Sequence, residues 1–199
     1  MTETSILIVG SSISGLSVAA SLKKLGLQST IIEKEGNVGM PWRNHYDRLH
    51  LHTNKRISNL PYKKFGTLIP QYPSRQQVVD YLESYQKQFA IQPMFNTEAK
   101  SIKKQNGYWT TETNNGIFKS KYVIMATGAF STPRHVQFNG AESFPGRIMH
   151  SFAYKSGGEF KNQKVLVVGF GNSACEIAID LYEHGAFSFM SVRSPVNII

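Results

Sequence analysis

Two glycine-rich turns, each lying between an apolar strand and a helix, constrain the fold of this chain more than any other feature. The first turn, residues 10–15, follows the apolar run 5–9, and the second, residues 169–174, follows the run 165–168. A dinucleotide site needs such a tight turn, together with helix amides aimed at the pyrophosphate. The sequence therefore predicts two β-α-β units that bind dinucleotides, with two purely structural turns as the alternative.

The strands that follow the two helices end in residues of opposite charge. Glu33 ends the first of these strands, where an acid accepts hydrogen bonds from a free ribose hydroxyl. Arg193 ends the second, and with the neighbouring Ser194 it suits a ribose 2′-phosphate. The contrast predicts two different dinucleotides, whereas a solvated acid and a surface cation are the simpler alternatives.

Each turn departs once from the G-x-G-x-x-G pattern. Ser12 occupies the second glycine position, where its Cβ crowds a pyrophosphate and strains the backbone if a left-handed conformation is needed. The Ser12 hydroxyl offers partial compensation by bonding a phosphate. Ala174 replaces the last glycine of the second turn, which is a permitted change.

The segments between the turns alternate between irregular and regular patterns. Residues 36–73 show no sustained period and are interpreted as a long functional excursion. Ser74 and Gln77 form a capping-box pattern at the start of an amphipathic helix. An antiparallel β-meander is predicted at about residues 97–120, inserted before a separate buried strand at residues 122–126.

These elements predict an α/β fold with two Rossmann-like dinucleotide-binding units, the meander lying in the first unit and the second unit being truncated. Residues 1–155 are assigned to the first domain and residues 156–199 to the beginning of the second. Residues 157–164 are interpreted as a linker between them.

Charge narrows the range of partners. The 199-residue chain carries 22 Lys and Arg against 13 Asp and Glu, which gives a net charge of +9. The basic residues are scattered and are not interleaved with aromatics on one side. Phosphate-rich cofactors therefore explain the excess better than nucleic acid or a membrane, and we expect neither of those partners.

Cysteine and histidine usage points to a cytoplasmic protein that holds no metal. The single cysteine, Cys175, rules out an internal disulfide. No basic leader precedes the first strand, and no segment reaches the roughly 20 apolar residues that cross a bilayer. His50 and His52 share a face in an extended strand, but a third ligand at suitable spacing is missing from the pattern.

One segment carries a specific family signature. Residues 144–154, F-P-G-R-I-M-H-S-F-A-Y, resemble the F-x-G-x-x-x-H-S-x-x-[YF] signature of flavin-containing monooxygenases, including the YUCCA-type plant enzymes. Baeyer–Villiger monooxygenases carry tryptophan at the place of Tyr154, so the resemblance favours the heteroatom-oxygenating side of the family. His150 is interpreted as a packed, domain-connecting residue and not as a catalytic base.

Weaker similarities extend this resemblance along the chain. Residues 39–42 are similar to the family's G-G-x-W stretch near the flavin, and residues 126–128 match its A-T-G strand end. Residues 46–52 are similar to the Y-D-R-L-x-L-H run of YUCCA-type proteins. Asn54 resembles the asparagine that faces the flavin and is the candidate catalytic residue, with a loop asparagine bonding its own backbone as the alternative.

The turns and the resemblance together give a set of predicted cofactor contacts. The predicted FAD contacts are Gly10, Ser12, Ile13, Ser14, Gly15, Glu33, Lys34, Gly39, Trp42, Ala126, Thr127 and Gly128. The predicted NADPH contacts are Gly169, Gly171, Asn172, Ser173, Ala174, Arg193 and Ser194.

The resemblance implies an FAD- and NADPH-dependent monooxygenase. In that family NADPH reduces FAD, O2 adds to form a hydroperoxyflavin, and one oxygen atom passes to an amine, a sulfide or a 2-oxo acid. Family members are longer than this chain, so we expect a fragment, or a second chain or homo-oligomer that supplies the missing part. The alternatives are a non-catalytic flavin- or nucleotide-binding protein and a flavin disulfide reductase, which the lack of a cysteine pair disfavours.

Overall fold

The computed structural model describes residues 1–129, 132–134 and 136–194, and the chain divides into two units. The first unit comprises Met1–Asn44 and Leu51–Ser131, and the second comprises His45–His50 and Thr132–Ile199. The sequence analysis predicted that the first cofactor domain ends at residue 155 and the second begins at residue 156. These limits stay a prediction. Residues 195–199 of the predicted second domain lie outside the described residues.

A five-stranded sheet with the strand order β2-β1-β5-β4-β3 forms the centre of the first unit. The central strand β1 runs parallel to both of its neighbours, whereas β3, β4 and β5 pair antiparallel. The strands are β1 (Thr2–Val9), β2 (Thr30–Ile32), β3 (Ala99–Gln105), β4 (Tyr108–Thr113) and β5 (Gly116–Met125).

The apolar run of β1 is buried on both sides of the sheet. Ile6 and Ile8 belong to a cluster that includes helix residues, whereas Leu7 and Val9 pack in a second cluster with Ile32. This alternation follows from the two-residue period of a strand. The unbroken apolar sequence of β1 is therefore explained by a parallel strand covered on both faces.

One continuous strand, β5, includes both the end of the predicted meander and the strand that the sequence analysis placed after it. Its first half pairs antiparallel with β4, and it pairs parallel with β1 up to Met125. The predicted strand at residues 122–126 is therefore confirmed up to Met125, but the prediction that it is separate from the meander is wrong. The polar residues 119–121 lie within this strand, where Ser120 is buried and Lys121 exposed, so the alternation of a strand continues through them.

Three helices complete the first unit, namely α1 (Ile13–Lys24), α2 (Met40–Arg43) and α3 (Arg75–Gln88). The predicted capping box at the start of α3 is confirmed, because the Gln77 amide donates to Ser74 Oγ at 3.3 Å and Gln77 Oε1 accepts the Ser74 amide at 2.9 Å. The buried face of α3 joins the same apolar cluster as Ile8.

The second unit contains a β-α-β unit with two parallel strands. These elements are β6 (Lys164–Val168), α4 (Asn172–Glu183) and β7 (Phe187–Ser191). Short 3-10 helices precede them at Ala141–Ser143, Ser151–Ala153 and Gly157–Phe160. Across the described part of the chain, no helix combines the length and apolar character needed to span a membrane.

The predicted linker at residues 157–164 is wrong. Gly157 is buried and donates its amide to the Asp180 carboxylate at 2.8 Å. A Cβ at this position would clash with the backbone carbonyl of Asp180. Gly157, the first residue of the glycine pair, instead allows close packing against α4.

Candidate dinucleotide-binding sites

The first glycine turn is held tightly between the ends of three strands. The Gly10 amide donates to Ile32 O at 2.8 Å, and the Ala126 amide donates to Val9 O at 2.9 Å. Gly10 has a φ of +106°, and a Cβ there would clash with the Ala126 carbonyl. A Cβ on Gly15 would clash with the Gly10 carbonyl. The packing of the turn therefore requires both glycines.

Ser12 does not carry the backbone strain that we considered from the sequence. Its φ of −95° and ψ of −155° are extended values that any residue adopts. Ser12 is the N-cap of α1, yet its side chain makes no capping hydrogen bond. Ile13 and Ser14 open the helix, so their amides are donors of the kind that bind a phosphate.

Glu33 lies directly after β2 and contacts the first turn. Its Oε2 accepts the Ser11 amide at 2.7 Å and the Ser11 hydroxyl at 3.0 Å. Its Oε1 accepts the Glu35 amide at 3.0 Å. Ser11, which the sequence analysis did not select, thus joins the predicted ribose acceptor to the predicted pyrophosphate turn. The neighbouring Lys34 is exposed and lies 3.8 Å from Glu35.

The remaining predicted FAD contacts lie in two segments of the first unit. Gly39 has a φ of +69° and begins α2, in which Trp42 is half-buried against the apolar core. Thr127 and Gly128 are exposed just after β5, and Gly128 has a φ of +77°.

Asn54 adopts the local hydrogen bonding of a loop asparagine. Its Oδ1 accepts the Arg56 amide at 2.9 Å, and its carbonyl accepts the Ser58 hydroxyl at 2.9 Å. This is the alternative that the sequence left open. A catalytic role of Asn54 stays a prediction.

The second turn differs from the first because one of its glycines is not required by the protein. Gly169 has a φ of +122° and donates its amide to Ser191 O at 2.9 Å. Gly171, the N-cap of α4, has the extended values φ −80° and ψ 170°, and a Cβ on it would meet nothing within 4 Å. Neither conformation nor packing therefore explains Gly171, whereas the close approach of a ligand does.

The charged end of the second site follows β7. Asn172, Ser173 and Ala174 form the first turn of α4, and Arg193 and Ser194 are exposed after the strand. Because β6 and β7 are parallel, their carboxyl ends lie at the same sheet edge as the start of α4. Arg193 is available there to pair with an anion.

The two helices that follow glycine turns share a feature that α3 lacks. Within the described residues, neither α1 nor α4 has a side-chain cap, whereas α3 has a complete capping box; none of the three has an acid in its first turn. Uncapped amides and the positive end of the helix dipole favour a bound phosphate. The residues present therefore fit two dinucleotides.

The sequence analysis missed a group of side chains that anchors α4 within the second unit. Tyr154 donates its hydroxyl to the buried Asp180, and this raises the pKa of Tyr154 further above the value that burial alone gives. Arg48 binds Glu183 through Nε and a terminal nitrogen at 2.9 and 3.0 Å, and this ion pair lowers the pKa of Glu183. An acid placed between the apolar residues Ile179 and Leu181 of α4 was the available signal for Asp180.

Tyr46 is the most buried member of the segment that precedes Arg48. Burial raises its pKa to about 12, while Ser173 lowers it and Glu176 raises it. Its ring packs edge-on against Tyr154, 6.2 Å between centroids. The family-like run at residues 46–52 thus places one of its side chains beside the first turn of α4.

Over the ranges that the structure describes, no group of three His, Cys, Asp or Glu side chains is arranged to hold a metal ion. Cys175 is half-buried inside α4.

The arrangement of turns, uncapped helices and strand-end charges defines a flavoprotein-type fold with two dinucleotide-binding units. The chain belongs to the pyridine nucleotide-disulphide oxidoreductase family, whose model matches residues 7–197.

Curated relatives give a closer resemblance. The chain is 39% identical to the probable indole-3-pyruvate monooxygenase YUCCA4 of Arabidopsis thaliana, over 97% of this chain and 48% of that protein. It is 41% identical to the probable indole-3-pyruvate monooxygenase YUCCA3 of the same plant, over 96% of this chain and 47% of that protein. The resemblance to flavin-containing monooxygenases is confirmed, and the chain spans about half the length of these relatives.

Solved structures agree on the fold. A flavin-containing monooxygenase from Stenotrophomonas maltophilia matches with a TM-score of 0.87 and 25% identity, covering 96% of this chain and 58% of that one. A bacillithiol disulfide reductase from Staphylococcus aureus matches with a TM-score of 0.85 and 25% identity, covering 96% of this chain and 57% of that one. The predicted α/β fold with Rossmann-like units is confirmed.

Proposed function

We propose that this chain acts in an FAD- and NADPH-dependent monooxygenase, which transfers one oxygen atom from O2 to a soft nucleophile or a 2-oxo acid. The observation that carries the proposal is the pair of uncapped helices, one beside an acid at a strand end and the other beside an arginine. Flavin and nicotinamide supply hydride transfer and oxygen activation when bound. The chain's own residues bind and orient the two cofactors.

The first unit is proposed to hold FAD. The amides at the start of α1 bind the pyrophosphate, and Glu33 accepts a hydroxyl of the adenosine ribose. Ser12 occupies the second glycine position of the pattern, where the phosphates come close. Its hydroxyl makes no hydrogen bond that caps the helix. This hydroxyl is therefore available as a phosphate donor.

The second unit is proposed to hold NADPH. The pyrophosphate approaches α4 over Gly171, where no side chain intervenes. Arg193 and Ser194 bind the ribose 2′-phosphate, which NADH lacks. The charge of this strand end therefore supports NADPH as the reductant.

The names of the curated relatives favour a 2-oxo acid among the proposed substrates. Indole-3-pyruvate, which appears in those names, is a 2-oxo acid. Amines and sulfides are the other substrate classes of the proposal. A second chain or a further copy of this chain is proposed as the source of any substrate-binding residues that lie outside these two units.

Flavin absorbance and fluorescence test the proposal on the purified 199-residue chain. We expect FAD fluorescence to be quenched on binding, and Glu33→Gln to weaken FAD binding at least about tenfold. Glu3→Gln is the matched control, because Glu3 is an exposed acid on β1 that pairs with Lys119. Anaerobic NADPH should bleach bound flavin faster than NADH, and Arg193→Ala should reduce that preference.

Two results would contradict the proposal. Failure to bind FAD at all would remove its basis. Binding of FAD without any reduction by NADPH would instead favour a non-catalytic flavin-binding protein.

A disulfide reductase is the second candidate, because one of the matched structures has that activity in its name. Cys175 is the only cysteine in the chain and lies half-buried in α4. A disulfide reductase that relies on a cysteine pair is therefore disfavoured. NADPH-dependent reduction of a low-molecular-weight disulfide by the flavin-loaded chain would revive this candidate.

A further inference from the structure

The chain itself already occupies most of the acceptor capacity of Glu33. Its Oε2 accepts two hydrogen bonds from Ser11, one from the amide and one from the hydroxyl. Its Oε1 accepts one from the Glu35 amide. A carboxylate has about four acceptor positions, so one position is left, and it lies on Oε1.

The Ser11 hydroxyl is the one donor of the three that belongs to a side chain. The two amides follow from the path of the backbone, but the hydroxyl depends on the residue type at position 11. Ser11 has no exposed surface, so its hydroxyl cannot exchange Glu33 for water without exposing the turn. A buried donor that loses its acceptor is costly, so we expect the hydroxyl to keep Oε2 when a ligand binds.

We propose that Ser11 restricts Glu33 to a single hydroxyl of the adenosine ribose and thereby determines whether the site recognises the 2′- or the 3′-hydroxyl. The inference rests on the proposed function, in which Glu33 binds this ribose. A carboxylate with both oxygens open accepts two vicinal hydroxyls, one on each oxygen. With Oε2 filled by Ser11, only the hydroxyl that reaches Oε1 is bound.

Calorimetric titration with ADP, 2′-deoxy-ADP and 3′-deoxy-ADP tests this specificity without any turnover. For the unchanged chain, one deoxynucleotide should bind at least about fivefold more weakly than ADP, and the other within about twofold. In Ser11→Ala, ADP should bind about fivefold more tightly, and both deoxynucleotides should then bind more weakly than ADP.

Ser17→Ala is the matched control, because the Ser17 hydroxyl donates to the Ile13 carbonyl at 2.7 Å within α1 and touches no acid. It should keep the selectivity of the unchanged chain. Ser11→Cys retains a weak donor and should fall between the serine and alanine forms. Melting curves establish that each variant is folded, and if Ser11→Ala does not fold, Ser11→Cys decides.

Equal losses for the two deoxynucleotides in the unchanged chain would overturn the inference, as would a Ser11→Ala profile identical to that of Ser17→Ala. Glu33→Gln separates this failure from failure of the proposed function. If Glu33→Gln weakens ADP binding and Ser11→Ala changes nothing, only the role of Ser11 is refuted. If ADP does not bind, or Glu33→Gln has no effect, the proposed FAD site is refuted as well.

Discussion

Two N-cap residues with similar backbone conformations show how single side chains distinguish the two turns. Ser12 and Gly171 are both extended, and each precedes a helix without capping it. The Cβ of Ser12 is thus tolerated without strain, whereas Gly171 leaves open space. We infer that a dinucleotide approaches the backbone more closely at the second turn than at the first.

Replacing Gly171 by alanine tests whether that space belongs to a ligand. We expect Gly171→Ala to weaken NADP⁺ binding at least tenfold, about 1.4 kcal/mol, because the new Cβ occupies space through which the pyrophosphate is proposed to approach α4. The free energy of unfolding should change by less than about 1 kcal/mol, since the Cβ meets no protein atom. Calorimetry and urea unfolding measure the two quantities.

Gly158→Ala is the control for this change, because Gly158 lies in the same unit and its Cβ would make only ordinary contacts. It should leave NADP⁺ affinity unaltered. Unchanged affinity in Gly171→Ala would show that the open space serves no bound nucleotide.

A second residue-scale prediction concerns Tyr46 and alkaline pH. Its pKa in the folded chain is about 12, so between the ordinary pKa of tyrosine near 10 and pH 12 the unfolded chain loses this proton first. Stability should therefore fall as pH rises through this window, by up to about 1.4 kcal/mol per pH unit from this group. Tyr46→Phe removes that contribution.

Urea unfolding followed by circular dichroism at pH 8, 10 and 11 measures the effect. At pH 8 tyrosine is neutral in both states, so the difference between the two proteins there reports only lost contacts. We expect the unchanged chain to lose more stability than Tyr46→Phe between pH 10 and 11. Parallel pH dependences would mean that Tyr46 ionises equally in the folded and unfolded chains.

At the scale of elements, capping separates helices that serve the fold from helices placed at a candidate site. Ser74 caps α3 through a reciprocal bond with Gln77, whereas the N-cap serine of α1 makes no such bond. Both helices have a serine at the N-cap position. Only the geometry shows which of the two serines stabilises its helix.

The two serine-to-alanine variants should therefore differ. Ser74→Ala should lower the free energy of unfolding by about 1 kcal/mol, because a cap that satisfies a helix amide is lost. Ser12→Ala should change it by less than about 0.5 kcal/mol, because no capping bond exists to lose. Urea unfolding of both variants in the absence of cofactor measures this contrast, and equal losses would refute it.

Elements were predictable where local pattern and local chemistry agree. The predicted strands before the two turns, the helices after them and the capping box of α3 are all confirmed. The continuity of β5 was not predictable, because it depends on pairing with β1 across the chain. The same holds for the Ser11 bond to Glu33 and the approach of Gly157 to Asp180, which arise only when distant segments meet.

At the scale of the whole molecule, one face of the β6–β7 pair is apolar and exposed. Leu166, Val168, Phe187 and Phe189 are 61%, 59%, 58% and 54% exposed, and Leu166 lies opposite Phe189. Parallel sheets are normally covered on both faces. Exposed apolar area of this kind promotes association.

We therefore expect this chain to bind the dye ANS and to associate as its concentration rises. Phe189→Lys should reduce both effects, because it places a charge in the middle of the exposed face. Phe152→Lys is the control, since Phe152 is 57% exposed but belongs to a 3-10 helix and to neither of these strands. Dye fluorescence and sedimentation velocity measure the outcome, and equal effects of the two substitutions would contradict it.

The central position of β1 also has a consequence for the order in which the chain folds during synthesis. β1 leaves the ribosome well before its partner β5, as the 116-residue separation of Glu3 and Lys119 shows. At roughly 5–20 residues per second, β1 waits on the order of ten seconds for that partner. The first glycine turn packs against Ala126 and therefore matures late, so we expect the proposed FAD site to stay incomplete until β5 has emerged.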